Sequence, residues 1–301
     1  MYKQILVPLD GSSVAEQVLP SARFLCGRLK VPVELLGVIH GVGIASSVDA
    51  HKAHYVEKLV EDTRRASENY LELVGNTFPR TLITCSVEAG KPAEVIIDKA
   101  AYDKRTLVAM ATHGRSGMSR WLLGSVTEKV LRATANPLLL VRSGEGGKSE
   151  GEVKFESIVV PLDTSKLAES VLTDVIDLAQ RLNLEVILAH ACAIPLSAYY
   201  GAEDYYNPHY QDLAAQLKAE AGNYLEGKVR ELKEQGLEKV SAVVFEGSAA
   251  DEIIAFARRE SNSLVAMCAH GYSGVKHWVL GSVAEKVVRH SGDPVLMVRA
   301  A

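Results

Sequence analysis

The sequence predicts an α/β chain built as two tandem doubly wound domains, each a five-stranded parallel sheet flanked by helices. Three observations predict it. The chain repeats itself, each copy alternates short apolar runs with amphipathic stretches, and a polar Gly-rich segment separates the copies. Ile5-Leu6-Val7-Pro8-Leu9-Asp10 returns as Ile158-Val159-Val160-Pro161-Leu162-Asp163, an offset of 153. Downstream the offset is 157, pairing Gly90 with Gly247, Gly114 with Gly271 and Pro137 with Pro294. The second copy therefore carries four extra residues between Ala191 and Gly247, expected beside the Tyr-rich stretch 199–210. Residues 111–142 and 268–299 agree at 17 of 32 positions. The segment from Ser143 to Gly151 is polar and Gly-rich, with nothing to pack. The expected domains are 1–143 and 154–301, with 144–153 as linker.

Each element has a local reason. YKQILVPL is nearly continuous in apolar residues, as a parallel strand buried on both faces requires. Ser13-Val14-Ala15-Glu16 reads as a capping box opening a helix through Leu29, with Val14, Val18, Ala22 and Leu25 on one face. Val33–Ile39 is the next strand and His51–Gly75 a long charged helix. Leu82–Val87 is a strand, and Pro92 opens a short helix at a position that tolerates proline. Thr106–Ala111 is a strand, Ser125–Thr134 a helix and Pro137–Val141 the last strand. The order repeats from Phe155 to Val298. Ligands of such a sheet bind beyond the carboxyl ends of the strands, where the strand order reverses. The loops after the first and fourth strands, at Asp10 and His113, are expected to meet there.

Composition excludes several classes. The chain has 301 residues, a net charge of -4 and a pI near 6.2, so no global field draws it to nucleic acid. No apolar run approaches the ~20 residues of a membrane helix. The start MYKQILVPLD lacks the plan of a secretion signal. Cys26, Cys85, Cys192 and Cys268 lie far apart without a CxxC pair, which suits reduced thiols in a cytoplasm.

The chemistry concentrates in one phrase written twice, HGRSGMSRWLLGS from His113 and HGYSGVKHWVLGS from His270. Gly114 and Gly117 let the backbone approach a ligand closely. Gly124-Ser125 then starts a helix, whose free N–H groups and positive dipole end favour an anion, so the phrase reads as a phosphate cradle. A plainer reading stands beside it. Ser125-Val126-Thr127-Glu128 and Ser282-Val283-Ala284-Glu285 both spell capping boxes, and the Gly-Ser pair would then only begin a helix. The phrase is neither a P-loop nor a Rossmann fingerprint. Trp121 and Trp278 hold equal positions and read as packing or interface residues. His51 and His54 are spaced for a metal, but a solvated helix face is the simpler reading. Lys129, Arg132, Lys286 and Arg289 read as solvent-facing. The Tyr-rich stretch reads equally as a lid, a subunit contact or a packed loop.

Both halves resemble the universal stress protein family along essentially their whole length. The carrying residues are VPLD, Gly90-Lys91-Pro92-Ala93, the HG pair with GS nine residues on, and the closing PLLLVR. ATP-binding members carry Gly-x2-Gly-x9-Gly-Ser/Thr. Here its last part is intact twice, while the first Gly is replaced by Ala111 and Cys268. The resemblance implies an adenine nucleotide, ATP with Mg²⁺ or Mn²⁺, bound in the first half, with a weaker second site. It implies that Asp10 and Asp163, beside Pro8 and Pro161, contact the nucleoside, and that the backbone at Val38 and Ala191 meets adenine. It assigns the phosphates to Gly114, Arg115, Gly117, Gly124, Ser125 and Val126, next to Ala111. The second set is Gly271, Gly274, Gly281, Ser282 and Val283, where Tyr272 stands in place of Arg115.

The function so implied is an ATP-binding regulator of the stress response with a protein partner, and at most slow ATP hydrolysis. In such a family the last strands often pair across a dimer. Here the two halves are expected to pair within one chain, with a homodimer as the further option. Two other functions compete. One is an interaction module independent of nucleotide. The other is an ATP-using enzyme of a related α/β class, disfavoured because DGSS and DTSK replace the SGGxDS-like loop after strand one.

Overall fold

The computed structural model describes residues 1–40, 50–78, 81–112, 123–142, 153–192, 208–260, 262–269 and 280–299. The side chains of 50–53 and 208–211 lie outside that description, as do residues 144–152 of the linker. The chain divides into two units, Met1–Lys154 and Phe155–Ala301.

The first unit contains strands β1 (Gln4–Leu9), β2 (Val33–Ile39), β3 (Ile83–Ala89), β4 (Thr106–Ala111) and β5 (Leu138–Val141). Its helices are α1 (Leu19–Leu29), α2 (Ala50–Gly75), α3 (Pro92–Ala101) and α4 (Ser125–Ala133). All strand pairs are parallel, in the order β3-β2-β1-β4-β5. The chain runs outward from β1 to β3, then crosses back to place β4 on the other side of β1. The order reverses between β1 and β4, so a crevice opens beyond their carboxyl ends. Ile5, Leu6, Val7, Val108 and Leu139 are buried, as strands covered on both faces must be. The two faces are visible at adjacent residues of β2. A Cβ on Gly37 would stand 3.5 Å from Leu71 of α2, whereas Leu36 shares a cavity wall with Ile96 of α3.

The second unit repeats the plan with β6 (Ser157–Pro161), α5 (Lys166–Glu169), α6 (Leu172–Leu182), β7 (Glu185–Cys192), α7 (Pro208–Glu234), β8 (Val240–Glu246), α8 (Ala249–Arg259), β9 (Ser263–Cys268), α9 (Ser282–His290) and β10 (Val295–Val298). The parallel order is β8-β7-β6-β9-β10.

Four local expectations need correction. The first is the capping box at Ser13. Ser12, one residue earlier, accepts the Ala15 N–H on its Oγ at 3.1 Å, and Ser165 does the same for Ala168 at 3.1 Å. Glu16 reaches away, accepting the Tyr70 hydroxyl at 2.9 Å, as Glu169 accepts that of Tyr224 at 3.0 Å. The segment Ala15–Val18 is a 3-10 turn, and the α-helix starts only at Leu19 with Pro20 in its first turn. The second and third are the capping boxes at Ser125 and Ser282. The caps are Gly124 and Gly281, without a side-chain bond, while Glu128 and Glu285 pair forward with Arg132 at 3.0 Å and Arg289 at 2.8 Å. Those arginines are thus half-buried partners rather than freely solvated charges. The fourth is the place of the extra residues. Tyr70 and Tyr224 make the same contact at an offset of 154, so one extra residue precedes that point of the helix and three follow it.

The copies also solve one packing problem in two ways. In the first, Lys99 bonds Glu34 at 2.9 Å and Glu88 at 2.7 Å, between α3, β2 and β3. In the second, the matching positions hold Ile187, Phe245 and Phe256, with the two rings 5.2 Å apart.

Candidate functional site

At the reversal point of the first unit lies a cavity of about 250 Å³. It sits a little below the ~300 Å³ at which small-molecule pockets usually begin. β1 and its turn supply Pro8, Leu9, Asp10 and Ala15; β2 supplies Leu36 and Val38. α3 adds Pro92 and Ile96, and β4 adds Met110 and Ala111. The last wall is the start of α4, from Gly124 to Thr127. The structure thus brings together Pro8, Asp10, Val38, Ala111, Gly124, Ser125 and Val126, all of them expected. Gly114, Arg115 and Gly117 lie outside the described residues, as do Gly271, Gly274, Trp121, Trp278 and the Tyr-rich stretch 199–207.

Each wall has a chemical character. Leu36, Val38, Ile96 and Met110 make an apolar slot able to cover a flat ring. Asp10 stands exposed at its mouth. Its Oδ1 accepts the Ser12 N–H at 3.0 Å and the Ser12 hydroxyl, and Ser12 in turn holds Ala15. The carboxylate is therefore held in place by its own turn. Gly11 permits that turn by adopting φ 78°. Opposite Asp10, α4 begins with Gly124 as cap and no side chain on its first N–H groups. Gly124 N–H donates to Thr112 O at 2.8 Å, and the Thr127 hydroxyl donates to Ala111 O at 3.0 Å. These bonds tie the helix start to the end of β4. Ser125, Val126 and Thr127 line the cavity, and the first N–H groups of a helix have no intrahelical acceptor. Such an end favours an anion. Among the described residues, no group of His, Cys, Asp or Glu is arranged to hold a metal ion. His54 is exposed on α2, and the side chain of His51 lies outside the described residues.

The second unit has a smaller cavity, about 100 Å³. Pro161, Asp163, Ala191, Cys268 and Val283 line it; Gly281 and Ser282 stand at the start of α9 without lining it. Asp163 repeats the turn of Asp10, accepting the Ser165 N–H at 3.1 Å and its hydroxyl at 2.6 Å. Thr164 takes the place of Gly11, with φ 68°.

Sequence reasoning missed the slot walls Leu36, Pro92, Ile96 and Met110. Two patterns place three of them on shared faces without telling a cavity wall from a core residue. Leu36 and Val38 alternate on one face of a strand, and Pro92 and Ile96 are four apart on one helix face.

Comparison with known proteins shows the family and the fold. The universal stress protein family model matches residues 1–142 and 154–299. A universal stress protein of Methanocaldococcus jannaschii is 30% identical over 151 residues, covering 50% of this chain and 85% of that protein. A second from the same organism is 31% identical over 160 residues, covering 47% and 96%. The crystal structure of a universal stress protein from Archaeoglobus fulgidus superposes with a TM-score of 0.68 at 20% identity, covering 100% of both chains, a likeness of fold. No helix of the described residues is long and apolar enough to cross a membrane.

Proposed function

Because the chain belongs to the universal stress protein family through both of its halves, we propose that it is an ATP-binding regulatory protein of the stress response. The nucleotide lies in the first unit, between the turn after β1 and the start of α4. One observation carries this reading. A single cavity is lined by an apolar slot, a fixed carboxylate and a helix N-terminus without a side-chain cap. Adenine fits the slot of Leu36, Val38, Ile96 and Met110. Asp10 accepts from the ribose hydroxyls. The phosphates meet the N–H groups of Ser125 and Val126, each helix-end charge contribution being about 0.3–1 kcal/mol when exposed. Gly114, Arg115 and Gly117 complete the phosphate shell in this proposal. A divalent ion, Mg²⁺ or Mn²⁺, arrives on the phosphates. Occupancy rather than turnover alters the contacts made with a protein partner. The four free cysteines support a reducing cytoplasm.

Calorimetric titration of nucleotide-stripped protein with Mg-ATP tests this, using Val38→Trp as the contrast. Val38 is half-buried at the slot, so an indole fills the space meant for adenine without opening the core. Saturable heat in the wild type and its loss in a folded variant is the expected result. Equal heats in both would place the ligand elsewhere, and no heat in either would favour a nucleotide-independent module.

A further inference from the structure

Helix α2 is longer than the sheet it packs on. Its 26 residues extend about 39 Å, whereas the 7 residues of β2 extend about 23 Å. The second half of the helix is anchored, with Leu71 and Val74 buried. In the first half Val56 and Val60 are only half-buried. The outward side carries exposed apolar residues: Tyr55 is 75% exposed, Leu59 67% and Leu73 69%. With the exposed Asp62, Ala66 and Asn69 they make one row along the helix. Its steps alternate between four and three residues, the spacing of a seam between paired helices.

Beside the row runs a line of exposed polar and charged residues: His54, Lys58, Glu61, Arg65, Glu68 and Glu72. Glu61 and Arg65 pair within the helix only at 4.0 Å, with both side chains exposed. Turned end for end about the level of Thr63, the line meets its own complement. Lys58 then opposes Glu68, Glu61 opposes Arg65, and His54 opposes Glu72. The same register puts Tyr55 between Asn69 and Leu73, and Leu59 against Ala66. Charge and apolar matching thus agree on one antiparallel register, and the surface matches itself. The second unit lacks this match. At the offset of 154 that relates Tyr70 to Tyr224, the line becomes Pro208, Asp212, Ala215, Ala219, Gly222 and Glu226. Both charges left there are negative. In the row, Tyr55, Ala66 and Leu73 become His209, Glu220 and Gly227, while Leu59 remains Leu213.

We propose that α2 is a docking surface for a second copy of this chain, the two helices packing antiparallel about a twofold axis at the level of Thr63. Each copy contributes the same residues, so every charge pair occurs twice. Asp62 lies beside the axis, where Arg65 of the second copy offsets the approach of the two carboxylates. A contact made by one helix from each copy is small, at or below ~1,200 Å² of total buried area, and association of that size is reversible. The surface uses no residue of the cavity, so the proposal stands apart from the nucleotide reading.

Charge exchange tests it, with sedimentation velocity on the full chain from micromolar to submillimolar concentration as the assay. The wild type is expected to pass from one chain to two as concentration rises. Lys58→Glu and Glu68→Lys each set like charges against one another twice, and each is expected to weaken pairing by about tenfold or more. Mixing the two variants restores opposite charges in a heterodimer, and the double variant restores them in a homodimer. Both are expected to return to within about threefold of the wild type. Leu213→Ser, on α7, is the contrast and is expected to change nothing. The substituted side chains are exposed, and circular dichroism checks that each variant is folded. A wild type that stays one chain throughout overturns the proposal. So does a dimer that Lys58→Glu leaves unweakened, which would place the contact elsewhere, or a mixture of the two variants that fails to pair. None of these outcomes bears on nucleotide binding.

Discussion

Asp293 offers a test worked through one atom. The offset of 157 pairs it with Asn136. In the first unit the Asn136 amide donates to Asp103 O at 2.8 Å and Thr106 O at 3.1 Å, stitching the approach to β5 onto β4. The matching carbonyls in the second unit belong to Glu260 and Ser263. A carboxylate cannot donate to them. Asp293 Oδ2 is accordingly buried without a hydrogen-bond partner. Burial pushes its carboxyl up from 3.8 to about 6, with Arg258 opposing. The folded chain then holds a proton that the unfolded chain gives up between about pH 4 and 6. The stability tied to this group is complete below pH 3.8 and is lost as pH rises through about 6. At ~1.4 kcal/mol per pH unit the full loss would be about 3 kcal/mol, and solvent screening of a half-buried group reduces it to about 1–2 kcal/mol. Asp293→Asn restores a neutral donor. Urea unfolding of both proteins between pH 4.5 and 8 measures the difference. The variant should be more stable by about 1–2 kcal/mol at pH 7, and the gap should shrink as pH falls toward 4.5. A variant equal to or weaker than wild type at pH 7, or a gap independent of pH, would refute the reasoning.

Two further tests use the repeat as its own control. Thr164 adopts a left-handed φ of 68° where the first unit has Gly11 at 78°. Left-handed backbone costs a side chain ~1–2 kcal/mol, and the extra freedom of unfolded glycine returns up to ~1 kcal/mol. Thr164→Gly should therefore stabilise the second unit by about 0.5–1 kcal/mol in denaturant unfolding; a loss of stability would contradict this. Replacing Glu34, Glu88 and Lys99 together by Ile, Phe and Phe copies the second unit into the first. A partly buried ion pair is often replaceable by packed apolar groups at little cost, so the triple variant should stay within about 1 kcal/mol of wild type. Lys99→Met alone strands two carboxylates and should cost about 2 kcal/mol, a discounted share of the fully buried penalty. A triple variant weaker than the single one would show that the two solutions are not interchangeable.

What was legible in the sequence follows from what local physics determines. The strands could be read because covered parallel strands must be apolar throughout, and Thr106–Ala111 fell at its expected bounds. The helix after β1 was misread because Ser12 and Ser13 are neighbours and either spells a cap. The choice is made by Asp10, which turns Ser12 inward, and by Tyr70, a tertiary partner fifty-four residues away that draws Glu16 out of the box. The boxes at Ser125 and Ser282 failed for a related reason, since an arginine one turn on competes for each glutamate. Within the candidate site, Asp10 was legible from its loop after the first strand, while Pro8 and Val38 came from the family resemblance. Ile96 and Met110 were not legible, because an apolar side chain lining a cavity looks in sequence like any core residue. Nor were the unequal cavities, because the volume of a cavity is a three-dimensional property.

The central claim is that the cavity between β1 and β4 holds an adenine nucleotide, and ligand-linked stability tests it most directly. A ligand bound only by the folded state, present at about 100 times its Kd, adds about 2.7 kcal/mol to unfolding. Denaturant unfolding of the wild type and of Val38→Trp, each with and without Mg-ATP, reads this quantity. A gain of that size in the wild type and none in the variant is the expected result. An unchanged wild-type curve at millimolar Mg-ATP would contradict the claim.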